Sequence, residues 1–238
     1  VAWVHTRRLA ALTDDASLRA KVVREVRPWL VGEQSWFGDQ IRFTAVGGAM
    51  VFAELALAAG EHQAAAVRLA ADGIVHAAAE TAPGVPRYGL GWTEDVFLGT
   101  ATAATAADSD GLDAAARVVV QSASQLQRSD GLFHHSADAQ IPWGRGNGFA
   151  ALGLAETLTA LSPNHPQRGT ILHIYRRQMR AMRSQQAPDG TWRQVVSLPG
   201  TYREATVTAM TVTAMARGVR LGWLDDTYRP VVMRGWRG

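Results

Sequence analysis

The stretch QRSDGLFHH, residues 127–135, recurs with the same layout as QAPDGTWRQ at residues 186–194. Each copy starts with a glutamine at the end of an apolar segment and turns at an Asp-Gly pair. An aromatic residue, Phe133 or Trp192, follows two positions after the glycine. The copies are 59 residues apart, a period that is too long for one helix and fits a helical hairpin with its loops. The repeat therefore predicts an array of helical hairpins.

The rest of the chain agrees with this prediction. Segments rich in Ala, Leu and Val, with apolar residues three and four positions apart, alternate with short Gly/Pro/Asp loops. Alternating β-branched runs are almost absent, so the sequence predicts an all-α protein. The predicted helices are 15–30, 41–59, 62–80, 93–107, 111–128, 147–161, 167–186 and 203–221.

Three of the predicted loops are longer and richer in aromatic and polar residues, namely 82–92, 129–146 and 187–202. Stacked helical pairs form either an open solenoid or a closed toroid, and the Asp-Gly turns alone do not distinguish the two. A closed ring would gather every rich loop at one rim. Binding and catalytic residues concentrate in such loops.

Composition narrows the classes of function. The chain has 238 residues, 47% hydrophobic and 19% charged, which is typical of one large globular domain, 1–238. A net charge of +3 does not favour nucleic acid as a partner, and no apolar run predicts a membrane span. The absence of cysteine excludes disulfides, zinc–thiolate sites and thiol nucleophiles. Because the chain begins with Val1, we expect a fragment of a longer protein.

A second informative stretch is PWGRGNGFAALGLAETL, residues 142–158. The planar guanidinium of Arg145 suits a carboxylate, and Trp143 and Phe149 offer flat faces that stack on sugar rings. These features together predict a pocket for an acidic sugar. The alternative is structural: Asn147 caps the helix, Phe149 is part of the core, and Arg145 pairs with a carboxylate of the protein.

Two aspartates follow loops at the start of apolar segments. Asp95 lies in GWTEDVFLGTA and Asp39 in WFGDQIRF, and aromatic residues flank both. Two acids at one rim could act as a general acid/base pair. Aspartate is also a favoured residue at helix starts, and the spacing alone leaves both interpretations open.

Five segments together resemble a known family. PWGRGNGF, DGLFHHS, WTEDVFLG, DGTWRQV and TYREATVTAMTVTAMARGVRLGWL are similar to signature segments of the unsaturated glycuronyl hydrolases. The resemblance is closest to the unsaturated rhamnogalacturonyl hydrolases of glycoside hydrolase family 105 and to the related family 88. It runs in order from about residue 36 to the end of the chain.

The resemblance implies an (α/α)6 barrel of six helical hairpins. Eight predicted helices do not complete that ring, so we expect a barrel that is incomplete at both ends of this chain. The implied substrate is a short oligosaccharide whose non-reducing end is a 4,5-unsaturated uronic acid. An aspartate protonates C4, water adds at C5, and the hemiketal opens and releases the next sugar. No metal or organic cofactor takes part, and we expect a cytoplasmic enzyme of undetermined oligomeric state.

The resemblance also implies roles for single residues. Asp95 is the general acid that afterwards, as a carboxylate, deprotonates the attacking water, and Asp39 is the second acid. Because Glu94 stands where a second aspartate is common, Glu94 is the proton donor instead if the alignment is shifted by one. Arg145 holds the substrate and is expected to face Asp95 across one cleft. The remaining substrate-binding candidates are Trp92, His135, Trp143, Phe149, Trp192 and Gln194.

Two other functions stay open at this point. A polysaccharide lyase on a similar barrel would use a tyrosine or histidine base, for which Tyr88 and His135 are candidates. A non-catalytic glycan-binding protein would keep Arg145 and the aromatic residues and would tolerate the loss of Asp95.

Overall fold

The computed structural model describes residues 2–35, 37, 40–58, 60–106 and 109–238. Within these ranges the chain is mainly helical, with one two-stranded antiparallel sheet. No helix among them is long and apolar enough to cross a membrane. The α-helices are α1 (Ala2–Leu12), α2 (Ala16–Leu30), α3 (Phe43–Val46), α4 (Met50–Ala56), α5 (Gln63–Ala78), α6 (Asp95–Leu98), α7 (Thr100–Ala106), α8 (Ser109–Leu126), α9 (Gly144–Ala160), α10 (Arg168–Ser184), α11 (Ala205–Arg220) and α12 (Arg229–Arg237). The strands are β1 (Glu80–Ala82) and β2 (Val85–Pro86), and 3-10 turns occur at Gly47–Ala49 and Asp226–Tyr228.

The described helices pair into five hairpins: α1 with α2, α4 with α5, α7 with α8, α9 with α10, and α11 with α12. The first helices of these pairs pack side by side, with α9 between α7 and α11, and with α4 between α1 and α7. Thirteen of the seventeen residues of α9 are buried, as expected for an inner helix. The helical-hairpin barrel is therefore confirmed.

The repeated turn docks each hairpin on the outer helix of the next one. Gln127 donates from Nε2 to the carbonyl of Ile174 on α10, at 3.1 Å. Gln186 donates in the same way to the carbonyl of Val231 on α12, at 2.9 Å. The sequence repeat thus corresponds to a repeat of contacts between neighbouring hairpins.

The glycines of the two turns have the same geometry. Gly131 and Gly190 have φ values of 98° and 93°, in the left-handed region that disfavours side chains. A Cβ at Gly131 would lie 2.5 Å from the carbonyl oxygen of Arg177 on α10, and one at Gly190 would overlap the carbonyl of Arg234 on α12. Both turns therefore need glycine for two independent reasons.

At the end of the barrel opposite these turns, ion pairs join four inner helices. Arg8 of α1 lies 2.7 Å from both Glu54 of α4 and Glu156 of α9, and Arg217 of α11 lies 3.0 Å from Glu156. Burial alone would raise the pKa of Glu156. The hydrogen bonds and charges of Arg217 and Arg8 outweigh burial and hold that pKa below its ordinary value.

The structure corrects several helix predictions. Helices α1 and α12 were not predicted, because adjacent arginines and a Pro and Gly interrupt their apolar patterns. The predicted helix 41–59 is divided into α3, a 3-10 turn and α4. The predicted helix 93–107 is divided at Gly99, where the ring of Phe43 packs against the backbone.

Replacing Gly131 with alanine should destabilise the fold, because the new Cβ both strains the turn and contacts α10. We expect a loss of about 2–4 kcal/mol in the free energy of unfolding. Gly200→Ala is the matched control, since Gly200 has a φ of 97° but open space around it. It should lose only about 1 kcal/mol. Equal losses in urea denaturation of the two variants would contradict the docking role of the turn.

Replacing Glu156 with glutamine should leave Arg8 and Arg217 without their shared carboxylate, and the expected loss is about 3 kcal/mol. The folded pKa of Glu156 is lowered, so this loss should be complete above the unfolded pKa and should shrink as the pH falls through the folded pKa. Urea denaturation of the wild type and of Glu156→Gln at several pH values measures this loss. The exposed Asp226, paired with Arg229, gives the control Asp226→Asn, expected to change stability by less than about 1 kcal/mol.

Candidate functional site

The long loops meet at the rim where the inner helices begin. Two isolated antiparallel bridges link them, Trp92 with Ser136 and Trp143 with Val195, and a third, Arg193 with Arg203, lies within the last loop. The loop before α6 is thereby paired with the loop before α9, which is paired with the loop before α11. The predicted gathering of the rich loops at one rim is observed for these three loops.

Arg145 lies in the first turn of α9. Its guanidinium lies over the ring of Trp143, 4.2 Å from the centroid, and its Nη1 donates to Oε1 of Glu204 at 3.3 Å. Burial raises the pKa of Glu204, and Arg145 partly opposes this. Whereas Glu204 is buried, 43% of the Arg145 side chain is exposed. Arg145 thus pairs with a carboxylate of the protein and still presents N–H donors to solvent.

Glu94, the residue before α6, lies in the same cluster. Its Oε2 is 3.5 Å from Nδ1 of His135, and only 8% of the residue is exposed. Burial raises the pKa of Glu94, and the charges of His135 and Arg145 act against that rise. A Cβ at Gly146 would lie 3.7 Å from Oε2, an ordinary van der Waals contact, so the carboxylate lies directly beside the start of α9. We call Glu94, His135, Trp143, Arg145 and Glu204 the rim cluster.

Aromatic rings and an asparagine fix His135. The rings of Trp92 and Trp143 lie 5.1 Å and 5.0 Å from the His135 ring. Asn147 accepts a hydrogen bond from the Phe133 amide and donates one to the Phe133 carbonyl, both at 2.9 Å. Asn147 is therefore not a helix cap, as one interpretation had it, but a buried residue of α9 that holds the segment leading to His135.

The Asp95 side chain contacts the loop that precedes it in the chain. Only 3% of the residue is exposed, and its Oδ2 accepts hydrogen bonds from the amides of Leu90 and Gly91 at 2.8 Å and of Trp92 at 3.3 Å. Burial raises its pKa to about 6, against the effect of these amides.

Asp95 lines a cavity of about 120 Å³ whose lining, within the described residues, does not include Arg145. The expectation that Asp95 and Arg145 face one cleft stays a prediction. Arg145 forms its ion pair with Glu204, and its charge also acts on Glu94, the alternative proton donor that the resemblance left open. The Asp95 side chain turns back to the amides of its own loop.

The other predicted residues have different positions. Asp39 lies outside the described residues. Trp192 does not line the rim, since it is fully buried and its indole N–H donates to the Met182 carbonyl at 2.7 Å. The prediction for Trp192 is wrong because its ring belongs to the core, as does the ring of its repeat partner Phe133.

Phe149 and Gln194 are each half-buried. The Phe149 ring packs against Phe97, with the ring centroids 5.6 Å apart. Gln194 accepts a hydrogen bond from the Gly144 amide through its backbone carbonyl, at 2.5 Å, which places it beside the start of α9. Trp92, 42% exposed, stands at the rim next to His135.

Glu204 is the rim residue that the sequence prediction did not assign to the site. The available signal was its position directly before an inner helix, which Glu94 shares and which Arg145 nearly shares.

The fold and the rim cluster together define a helical-hairpin barrel with an acid–arginine–aromatic site at one rim. Residues 130–238 match the family described as Glycosyl Hydrolase Family 88. The resemblance to the unsaturated glycuronyl hydrolases is thereby confirmed for this part of the chain, which contains His135, Arg145 and Glu204.

One curated relative is the unsaturated 3S-rhamnoglycuronyl hydrolase of Formosa agariphila. It is 31% identical over 103 residues, which are 42% of this chain and 27% of the relative. The curated relatives that the chain matches are each covered over only about a quarter of their length, 24% to 28%.

Solved structures with the same fold superpose on nearly the whole of this chain. A glycosyl hydrolase family 88 protein from Bacteroides vulgatus superposes with a TM-score of 0.83 at 16% identity, over 99% of this chain and 76% of that one. A protein named as a polysaccharide lyase superposes with a TM-score of 0.77 at 17% identity, over 99% and 74%. At these identities the likeness shows the fold alone.

Asn147→Ala should remove the side chain that pairs with the Phe133 backbone. The buried amide and carbonyl of Phe133 would then be unpaired. The expected loss in the free energy of unfolding is about 2–4 kcal/mol, measured by urea denaturation. Asn164→Ala, at an exposed loop position, is the control and should change stability by less than about 0.5 kcal/mol. If Asn147→Ala is as stable as that control, the asparagine does not hold the His135 segment.

Proposed function

We propose that the protein is a glycoside hydrolase that releases a 4,5-unsaturated uronic acid from the non-reducing end of oligosaccharides produced by a polysaccharide lyase. The reaction is hydration of the enol-ether double bond. The observation that carries the proposal is a buried carboxylate, Glu94, beside His135 and in the field of Arg145, with aromatic rings around them. The family match over residues 130–238 supports it.

Glu94 takes the role of the proton donor. Because burial raises its pKa, the carboxyl can hold a proton closer to neutral pH than an exposed glutamate can. In the proposed reaction the carboxyl protonates C4, and the positive charge that develops at C5 is shared with the ring oxygen. The resulting Glu94 carboxylate then takes a proton from the water that attacks C5. Glu94 regains its proton, and the hemiketal opens and releases the neighbouring sugar.

Arg145 takes the role of the carboxylate receptor. Glu204 holds Nη1 and Trp143 supports the face of the guanidinium, so the fork is already oriented before a ligand arrives. Its solvent-facing donors suit the carboxylate of a uronic acid. Trp92 and Trp143, on either side of His135, are the surfaces on which we expect the sugar ring to stack.

The proposed partner is thus a small oligosaccharide, and no step of the proposed reaction uses a metal or an organic cofactor. Asp39 stays a candidate second acid. A single domain over 1–238 and a cytoplasmic location also stay predictions.

A polysaccharide lyase is the second candidate, because one of the solved structures with this fold is named as a lyase. The two reactions have opposite optical signatures. A lyase creates a conjugated double bond and the proposed hydrolase consumes one. A panel of lyase-made unsaturated disaccharides should therefore lose ultraviolet absorbance with this protein, and a rise with the parent polysaccharide would support the lyase instead.

Glu94→Gln should lower kcat by at least about 100-fold, because it removes the transferable proton. Binding of the disaccharide, followed by calorimetry, should be retained. Glu94→Asp keeps a carboxyl with a shorter reach and should fall between the wild type and Glu94→Gln. Glu25→Gln, at an exposed position of α2, is the control and should leave turnover unchanged. Undiminished turnover in Glu94→Gln would refute the assigned role.

A further inference from the structure

We propose that Asp95 is a positioning residue, whose carboxylate holds the 89–92 loop so that Trp92 and Glu94 face the rim cluster. The inference rests on the proposed function for its kinetic consequences, but its structural part does not. It assigns to Asp95 a role different from proton transfer.

The anchor consists of one carboxylate oxygen and three consecutive amides. Oδ2 of Asp95 accepts from the amides of Leu90, Gly91 and Trp92. Such convergent amides form a concave site for negative charge, and a carboxylate binds them more strongly than a neutral oxygen does. The loop therefore wraps around the start of α6.

The shape of the loop depends on this contact. Gly91 has a φ of 71°, and a Cβ at Gly89 would lie 2.8 Å from Oδ2 of Asp95. Two glycines thus let the backbone close around the carboxylate. Among the described residues, the remaining hydrogen bond of residues 89–91 runs from the Gly89 amide to the Pro86 carbonyl, so the anchor supplies most of the hydrogen bonds that define their path.

The residues that follow the anchored amides reach the rim cluster. Trp92 stacks against His135 and pairs with Ser136. The Thr93 amide donates to the His135 carbonyl at 2.9 Å. Glu94 then places its carboxylate beside His135. Asp95 thus holds one side of a short segment whose other side carries the proposed proton donor.

The second oxygen of Asp95 makes no hydrogen bond to the rim cluster. Oδ1 is buried and has no hydrogen-bond partner among the described residues. The cavity that Asp95 lines is bounded by Pro86 and Trp92 on the loop side and by Ser122, Gln125 and Leu126 of α8. Arg145 is not among the residues that line this cavity, and its side-chain partners are Trp143 and Glu204 rather than Asp95.

The test compares Asp95→Asn and Asp95→Ala with wild type, using unsaturated disaccharides as the substrate and Asp15→Asn as the control. Asp15 also accepts two backbone amides at a helix start, those of Ser17 and Leu18, but at the start of α2. We expect Asp95→Asn to raise KM and to lower kcat by less than about tenfold, since Glu94 is intact. Both limbs of its pH–rate profile should be retained. Asp95→Ala should raise KM further.

A second readout is independent of activity. Hydrogen exchange of the peptide containing residues 89–93 should be faster in both Asp95 variants than in wild type, and unchanged in Asp15→Asn. Unchanged exchange in Asp95→Asn and Asp95→Ala would overturn the positioning role. A loss of 100-fold or more in kcat in Asp95→Asn, with unchanged KM and loss of a pH limb, would make Asp95 the proton donor and also overturn it.

Failure of the proposed function gives a different pattern. If the wild type does not turn over any unsaturated disaccharide, the hydrolase proposal fails, while the exchange measurement still decides whether Asp95 holds the loop. If Asp95→Ala does not fold, Asp95→Asn, which keeps the size and one acceptor oxygen of the side chain, supplies the decisive comparison.

Discussion

The rim cluster depends on how closely α9 and α6 cross. A Cβ at Gly153 would overlap the carbonyl oxygen of Val96, so the two backbones are in direct contact at this point. Val96 follows Glu94 by two residues, and Arg145 lies about two helical turns before Gly153 on the same helix. A side chain at position 153 would move α6 away from α9 and carry Glu94 away from Arg145. The small residues of α9 therefore serve the geometry of the site as well as the packing of the barrel.

The pKa values of buried acids are shifted in opposite directions at the two ends of the barrel. At the far end, Glu156 lies between Arg8 and Arg217, and its pKa is lowered. At the rim, the buried acids Glu94, Asp95 and Glu204 have raised pKa values. The far end has two arginines for two carboxylates, Glu54 and Glu156, and these ion pairs join the inner helices. The rim has more carboxylates than guanidinium groups, which is costly for stability and useful for proton transfer.

The repeat of glutamine, Asp-Gly pair and aromatic residue could predict the hairpins, because its glutamine and glycine contact the backbone of the neighbouring hairpin. Gln127 and Gln186 bond the next outer helix, and the glycines fit against its carbonyls. The same repeat also bears on the burial of Trp192. Its equivalent, Phe133, is a core residue, and equivalent positions of a repeat share burial. Helix α1 lacks a clear apolar period, whereas α12 is strongly amphipathic but contains Pro230 and Gly235, which disfavour a helix in so short a segment.

The choice between Glu94 and Asp95 could not be made from the sequence, because they are adjacent acids at the start of the same helix. What separates them is the length of the side chain relative to the loop. Aspartate is short enough to turn back onto the amides of residues 90–92, which precede it in the chain. Glutamate has one more methylene group and reaches across to His135 on the neighbouring loop. Two adjacent carboxylates can therefore have different tasks, one holding the loop and the other donating the proton in the proposed reaction, because the backbone presents each to a different set of partners.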